Sequence, residues 1–395
     1  MTNNWHSIIQ HAQQLRHELH RHPELSWKEE KTARLIRREL ELLDIPWRAC
    51  AGTGTVATLN APGQNTKHTA LRGDIDALPI SEKTEKSYRS ESPGCMHACG
   101  HDGHTATLLG AARWLKLHES SLLGKVSLLF QPAEEGGHGA KFMIQDGALD
   151  GVDEIFGWHN WPAIPFAQLA CPDDIVMCGN GTFTITVTGI GGHASQPELC
   201  RDPVLAASAI VMGLQQIVAR RISPQNSAVV SVTSIDALSA ATVIAETAIL
   251  SGSIRVPNEA LRQQLNALLV EVSCNIGSAY GVDCEVDIQN RYQATINHPI
   301  PAARVREIWQ RQWGLEAIAS ATPLPIMASE DFSYYLSEIP GAFALIGADD
   351  GDKHHQKPCH NAHYDFNDRL IPRVCGLFAE LVQAPLPKEL NATSF

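Results

Sequence analysis

Residues 181–188 read Gly-Thr-Phe-Thr-Ile-Thr-Val-Thr. Phe183, Ile185 and Val187 alternate with threonine, which is the two-residue period of a β-strand with one covered face. Further patterns follow in the order helix, strand, strand, helix, strand, at residues 203–220, 228–235, 242–254, 258–279 and 282–288. The resulting β-α-β-β-α-β order predicts a ferredoxin-like α+β module.

The segments on either side of this module alternate helices with strands. Before it, helical periodicity covers 6–43 (with a break at 22–23) and 104–118, and strands are predicted at 55–59, 69–73, 126–130 and 154–158. After it, the pattern predicts a helix at 302–313, a strand at 341–347 and a helix at 372–381. This alternation favours an α/β fold with its site at strand ends. We therefore predict a discontinuous catalytic α/β domain with a central mixed sheet at 1–178 and 291–395, and an inserted lid at 179–290.

Composition narrows the class of protein. The chain has 395 residues, 44% of them hydrophobic, which predicts a large buried core. The formal net charge of −12 argues against a nucleic-acid groove, which needs a basic face. We find no leader sequence and no apolar run near ~18 residues, and so expect a soluble, cytoplasmic protein without a membrane segment. The ten cysteines are expected to be mostly buried free thiols, with one as a metal ligand.

Metal-binding residue types are densest at residues 94–104, Gly-Cys-Met-His-Ala-Cys-Gly-His-Asp-Gly-His. Thiolate and imidazole are usual ligands of zinc and similar cations. Cys99 and His101 are two residues apart, so both can face one side of an extended or turning segment. A buried thiol beside a loop histidine is the alternative, but the other histidines and the aspartate of this run favour a metal site.

Glu134 and Glu135 follow a buried strand and Gln131-Pro132, and two glycines come next. Adjacent carboxylates repel each other, so a turn that points both inward needs a cation nearby. One carboxylate can then bind the metal while the other stays free as a base for water. A solvated acidic loop is the alternative interpretation.

Four more residues are candidates for the same site. His159 lies just past a strand, and His360 lies in a loop near the C-terminus; each alone could be an ordinary histidine. Asp74 and Asp76 alternate on an extended segment and share a face, from which they could orient ligand histidines. Their alternative is a structural turn with a salt bridge to Arg72.

Residues 189–194, Gly-Ile-Gly-Gly-His-Ala, formally match a dinucleotide-binding motif after a strand. We reject that interpretation, because Pro197 follows and the next helix begins only near Pro203, too far on to hold a pyrophosphate. The glycines instead predict a turn from which His193 projects.

Together these segments resemble the M20 metallopeptidase family, above all its amidohydrolase branch of hippurate hydrolases, N-acyl-amino-acid deacylases and auxin-conjugate hydrolases. The motifs that carry the resemblance are spread over nearly the whole chain, at residues 20–25, 72–79, 96–102, 130–137, 191–194, 329–332 and 360–361.

The resemblance implies a site for two divalent metal ions, with zinc, manganese, cobalt and nickel all open. By position, the ligands would be Cys99 (bridging), His101, Glu135, His159 and His360. Glu134 would be the general base, and the inserted module would be a lid and dimerisation domain. The chain departs from the pattern at His138, where many relatives have glycine, and at 349–358.

The expected function is a metal-dependent amidohydrolase that removes the acyl group from an N-acyl amino acid and works as a homodimer. His193 would donate to the developing oxyanion, from its own or the partner subunit. Arg255 would pair with the substrate carboxylate, with a surface salt bridge as its alternative.

Three other functions are compatible with the same residues. They are a dipeptidase or carboxypeptidase of the same fold, a thiol hydrolase built on Cys99 and His101, and a non-catalytic binding module. Glu134 argues against the binding module, because binding alone needs no free base.

Overall fold

The structure, a computed structural model, describes residues 4–60 and 67–391. The helices are α1 (Trp5–Arg21), α2 (Glu30–Leu42), α3 (His101–Leu117), α4 (Gly139–Gln145), α5 (Pro203–Gln216), α6 (Glu259–Ala279), α7 (Pro299–Trp313), α8 (Ser333–Glu338) and α9 (Leu370–Leu381). The first strands are β1 (Trp47–Cys50), β2 (Gly54–Leu59), β3 (His68–Asp74), β4 (Lys125–Gln131), β5 (Glu154–Pro165), β6 (Leu169–Ala170) and β7 (Ile175–Met177). The others are β8 (Gly179–Thr188), β9 (Gly192–His193), β10 (Val229–Asp236), β11 (Val243–Ile244), β12 (Thr247–Val256), β13 (Asp283–Asn290), β14 (Thr295–Ile296) and β15 (Gly341–Asp349).

The chain divides into two compact units. The first comprises the described residues up to Val176, Ile296–Pro323 and those from Asp331 onward; the second comprises Met177–Thr295 and Leu324–Glu330. The second unit is longer than the predicted insertion of 179–290 and also includes the later segment Leu324–Glu330. Cys178 N donates to Ile326 O at 3.0 Å, and Arg255 Nη1 donates to Ser329 Oγ at 2.9 Å.

The first unit is built on a seven-stranded sheet of order β1-β2-β4-β3-β5-β15-β6. Strands β4, β3, β5 and β15 run parallel, whereas β1, β2 and β6 pair antiparallel. The predicted α/β fold with a mixed sheet is therefore confirmed. All residues of β3 are buried, as expected of a strand covered on both faces. Because parallel strands end at one edge, the residues that follow β3 and β4 are brought together there.

The second unit is an antiparallel sheet of order β10-β12-β8-β13 with helices α5 and α6 packed against it. Phe183, Ile185 and Val187 are buried in its core, whereas Thr182 and Thr188 are exposed. This is the β-α-β-β-α-β arrangement predicted from the alternating strand. That the unit acts as a lid stays a prediction.

Several elements differ in detail from the sequence prediction. The pattern at 242–254 is split between β11 and β12, and β5 is longer than the predicted 154–158. The short strand β1 was missed, because four residues with two exposed side chains leave little periodicity.

One helical stretch among the described residues, Pro203–Arg221, is long and apolar enough to cross a membrane by length and composition. No apolar stretch was predicted here from the sequence, and length and composition alone do not make this stretch a membrane segment. Ala206, Ile210 and Leu214 on this stretch are buried in the core of the second unit. Part of its apolar character is therefore that of a helix packed on a sheet.

A matched pair of leucines tests the core of the first unit. Leu128 in β4 is fully buried, whereas Leu42 is 70% exposed. We expect Leu128→Ala to lower the free energy of unfolding by about 2–5 kcal/mol through lost burial and a cavity. Leu42→Ala should change it by less than about 0.5 kcal/mol. Denaturant titration followed by circular dichroism measures both, and equal effects would contradict the assigned core.

Candidate metal centre

The five predicted metal ligands come together in the first unit. The ligand atoms of Cys99, His101 and His159 lie within 4.8 Å of one another, and so do those of Cys99, Glu135 and His360. The two groups share Cys99, so one thiolate is placed to serve two ions. The resemblance implied the same five residues, and that they bind metal with Cys99 bridging stays a prediction.

Gly100 makes the approach of Cys99 and His101 possible. Its φ of +95° is a left-handed conformation, and a Cβ there would lie 2.3 Å from Asn160 Oδ1. Glycine alone meets both conditions without strain. The turn ends directly at His101, which is the first residue of α3. The backbone of this histidine is therefore part of a rigid element.

Asp76 orients the imidazole of His101. His101 Nδ1 lies 2.9 Å from the carbonyl oxygen of Asp76, which can only accept, so Nδ1 carries the proton. In the neutral ring Nε2 then presents a lone pair, and this buried atom has no hydrogen-bond partner in the described part of the chain. A fixed tautomer with a free Nε2 is what a ligand histidine requires.

Asp76 also holds the turn that carries the two glutamates. Its Oδ1 accepts from Glu134 N at 3.1 Å, and its Oδ2 accepts from Glu135 N at 3.0 Å. Glu29 accepts from Ala133 N at 2.9 Å on the other side. Glu134 is only 6% exposed. The carboxylates of Glu134 and Glu135 and a ring nitrogen of His101 form a further group, whose ligand atoms lie within 4.8 Å of one another.

His159 extends from β5 toward the shared thiol. Its Nδ1 donates to Asn160 O at 2.6 Å, and its Nε2 lies 3.3 Å from Cys99 Sγ. Burial and the neighbouring His104 hold the pKa of His159 well below its usual range, so the ring is neutral. A neutral imidazole is the metal-binding form.

His360 completes the second group from the loop before α9. Its Nε2 lies 3.2 Å from Glu135 Oε1, which is buried and makes no hydrogen bond within the described residues. The side chain of His360 is 52% exposed, so this is the open side of the centre. Ala133, His138 and His360 all have positive φ, a conformation that costs non-glycine residues about 1–3 kcal/mol and is common at functional sites.

These contacts fit a pair of divalent cations. Two buried ligand atoms, His101 Nε2 and Glu135 Oε1, lack hydrogen bonds although they face other ligand groups. Burial disfavours a charged imidazole, yet Asp74 and Asp76 overcome it and raise the pKa of His101 to about 10. The mixture of thiolate, imidazole and carboxylate in the site suits borderline ions.

The thiol of Cys99 is protonated as long as no cation is bound. A hydrogen bond with Cys359, burial and the charge of Glu135 raise its pKa well above the usual range. Metal binding at this thiol therefore has to release a proton.

Asp74 forms the salt bridge that was its alternative interpretation, and its other contact is to a histidine outside the predicted ligand set. It pairs with Arg72 Nη1 at 2.6 Å, the predicted salt bridge, and its Oδ1 lies 2.6 Å from His104 Nδ1. His104 Nε2 in turn lies 2.8 Å from Asn160 Oδ1. Asp74 Oδ2 approaches His101 Nε2 only to 3.6 Å. Among the ligand histidines, Asp76 rather than Asp74 makes the orienting contact.

His193 and Arg255 lie in the second unit. His193 is exposed on β9, opposite Val243 of β11. Its Nδ1 accepts from Ser195 N at 3.1 Å, so the neutral ring carries its proton on the exposed side, at Nε2. Arg255 is half-buried in β12. Among the described residues no carboxylate pairs with it, and burial and Arg291 lower its pKa.

Sequence reasoning missed three supporting side chains, those of Glu29, His104 and Asn160. His104 is in the histidine-rich run and Asn160 directly follows His159, so proximity to candidate ligands was an available signal. Glu29 gave no such signal, because it lies 104 residues from the backbone group that it holds.

Comparison with known proteins agrees with this geometry. The chain matches the profile of peptidase family M20/M25/M40 over residues 70–384. It is 36% identical over 375 residues to an IAA-amino acid hydrolase ILR1-like 5 of Arabidopsis thaliana, covering 93% of this chain and 85% of that protein. It is 39% identical over 343 residues to an N-acetyl-L-cysteine deacetylase of Bacillus subtilis (strain 168), covering 86% and 81%.

Among solved structures, it resembles the Bacillus subtilis YXEP protein, described as a dinuclear metal binding peptidase from the M20 family. The TM-score is 0.81 at 30% identity, covering 95% of this chain and 98% of that one. The family profile and the relatives both span most of the sequence, and the chain therefore belongs to peptidase family M20/M25/M40.

Proposed function

We propose that this protein hydrolyses the amide bond of N-acyl amino acids, with two divalent cations held by Cys99, His101, Glu135, His159 and His360. The observation that carries the proposal is the placement of Glu134. It is buried, its backbone is fixed by Asp76, and it stands beside the ligand groups without being needed in either of the two that share Cys99. A carboxylate in this position suits a general base.

When bound, the two cations supply Lewis-acid activation of the amide carbonyl and of water. Glu134 accepts a proton from the attacking water and transfers it to the nitrogen of the leaving amino acid. Asp76 accepts a hydrogen bond from the backbone N–H of Glu134 and so holds this residue in place during the proton transfer.

We assign the two residues of the second unit to the substrate. His193 carries a proton on its exposed Nε2 and is proposed to donate it as a hydrogen bond to the developing oxyanion. Arg255 Nη1 donates to Ser329 Oγ at 2.9 Å, and no carboxylate pairs with Arg255 within the described residues. Its remaining donors suit the carboxylate of the substrate.

The relatives suggest the breadth of the acyl group. One is named for an IAA-amino acid and another for N-acetyl-L-cysteine. We therefore propose acyl groups from acetyl to arylacetyl. All ten cysteines are free, as expected in a reducing compartment, and we propose that the enzyme works in the cytoplasm.

A substrate panel tests this function. Apoenzyme is reconstituted with zinc, manganese, cobalt or nickel and assayed with acetyl-, benzoyl- and arylacetyl-amino acids and with free dipeptides. We expect N-acyl amino acids to be turned over at least about tenfold faster than dipeptides, and chelator to abolish activity. Preference for dipeptides would support a peptidase instead. Inactivation of metal-loaded enzyme by thiol alkylation, with no effect of chelator, would support a thiol hydrolase.

Replacement of Glu134 tests the general base. We expect Glu134→Gln to retain both metal ions and lose about 10²–10⁴-fold in single-turnover rate, since only proton transfer is removed. Glu30→Gln, at a glutamate whose side chain is 75% exposed, serves as the matched control and should leave the rate unchanged. Near-normal turnover in metal-replete Glu134→Gln would exclude this role.

We further propose that the second unit forms a homodimer. Large apolar side chains are exposed on it, with Met212 of α5 at 74% and Leu238 at 93%. Strand β10 is an edge of the four-stranded sheet and offers unpaired backbone groups to a second copy. An exposed apolar surface next to a free edge is typical of an interface between subunits.

Mixed dimers test whether His193 acts across the interface. His193→Ala and Glu134→Gln chains, each inactive alone, should recover part of the activity when combined, because one intact base would meet one intact histidine. Sedimentation first establishes the dimer, and subunit exchange is verified with a size tag. Verified heterodimers with no activity would place His193 within its own chain or outside the reaction.

A further inference from the structure

A buried arginine links two of the segments that carry the candidate ligands. It lies outside all the motifs named in the sequence analysis. We propose that Arg16 is a positioning residue that sets the distance between the His101 and His360 sides of the metal centre, and thereby its metal affinity. The inference rests on the metal centre proposed above and concerns a residue whose hydrogen bonds and ion pairs go to Asp102, Asp365 and Asp368 and not to the five proposed ligands.

Arg16 lies in α1 and is 0% exposed. Its Nε donates to Asp102 Oδ2 at 2.9 Å, its Nη2 donates to Asp365 Oδ1, and its Nη1 lies 3.6 Å from Asp368 Oδ1. One guanidinium therefore donates hydrogen bonds to two carboxylates from distant parts of the chain and lies at ion-pair distance from a third. Its planar fork is suited to this, whereas a lysine ammonium is a single point charge.

The two sets of carboxylates are adjacent to ligands. Asp102 is the residue after His101, in the first turn of α3. Asp365 and Asp368 follow His360 by five and eight residues along the sequence. Tyr364, next to Asp365, accepts from Asn160 Nδ2 at 2.7 Å, and Asn160 follows His159. Arg16 thus spans the segment that starts at Cys99 and the segment that continues from His360.

The two carboxylates that are hydrogen-bonded to Arg16 each have a second cationic or donor partner. Asp102 Oδ2 also lies 2.8 Å from His20 Nδ1. Burial opposes the charge on His20, but Asp102 raises its pKa to about 9, so the ring is a cation at neutral pH. Asp365 Oδ2 accepts from Lys86 Nζ at 2.8 Å and from Tyr88 OH at 2.9 Å.

Because of these second partners, the effect of Arg16 on the geometry of the site can be distinguished from an effect on the stability of the fold. Loss of Arg16 leaves Asp102 with His20, and Asp365 with Lys86 and Tyr88, so neither carboxylate is left alone. What is lost is the bridge between them. Burial of a charged cluster is a weak source of stability compared with apolar packing, so its retention here calls for a geometric role.

Cobalt titration of the apoenzyme tests the role. Wild-type protein should bind two Co²⁺ ions with a thiolate charge-transfer band, which Cys99→Ser should abolish. We expect Arg16→Lys to lower the affinity for at least one Co²⁺ ion by about tenfold or more and to shift the visible spectrum. Arg16→Met should lower this affinity further. Arg34→Met, at an arginine whose side chain is 66% exposed, is the matched control and should behave as wild type.

The bridge also predicts coupling between its two ends. Asp365→Asn should produce the same spectral change as Arg16→Lys, and the double variant should bind Co²⁺ no more weakly than the weaker single variant. Folded Arg16→Lys and Asp365→Asn proteins with wild-type affinity and spectrum would overturn the inference, as would strictly additive losses. If wild-type protein binds no Co²⁺ and shows no thiolate band, the proposed metal centre itself fails. Should Arg16→Met not fold, the Arg16→Lys and Asp365→Asn pair still decides.

Discussion

The carboxylate of Asp76 is the contact on which the candidate site depends. Its two oxygens accept from the backbone N–H groups of Glu134 and Glu135, and the backbone carbonyl oxygen of Asp76 accepts a hydrogen bond from His101 Nδ1. Asp76, which lies just beyond the end of β3, thus fixes both the turn after β4 and the first residue of α3. Because these are neighbouring elements of a parallel sheet, small errors in strand position would otherwise be passed directly to the ligands.

A second layer of polar contacts supports this arrangement from outside. Arg72 holds Asp74, His104 links Asp74 to Asn160, and Glu29 holds the backbone before Glu134. All these groups are nearly or fully buried, so an unpaired member would carry a large desolvation cost. The network therefore specifies one geometry of the site rather than adding much to the stability of the fold.

Much of this could be predicted from residues near one another in sequence. The alternation in residues 181–188 predicted the second unit, because a strand covered on one face has an unmistakable period. The run at 94–104 and the Glu134-Glu135 pair indicated a metal site. Contacts between distant segments were not predictable in the same way. The roles of Arg16 and Glu29 depend on which helix packs behind which strand, and no local pattern in one sequence carries that information. The apolar stretch at 203–221 was missed for a related reason, since its composition combines a buried face with an exposed apolar one.

The unequal exposure of the candidate ligands has a consequence for metal exchange. His159 and His101 are almost completely buried, whereas the side chain of His360 is 52% exposed. In a centre built in this way, an ion on the buried side leaves only when the protein opens, while an ion on the His360 side can trade places with ions in solution. The first would behave as a permanent part of the fold. The identity of the ion on the His360 side would depend on which cations are available in solution. The same polypeptide could then work at different rates as the available cation changes.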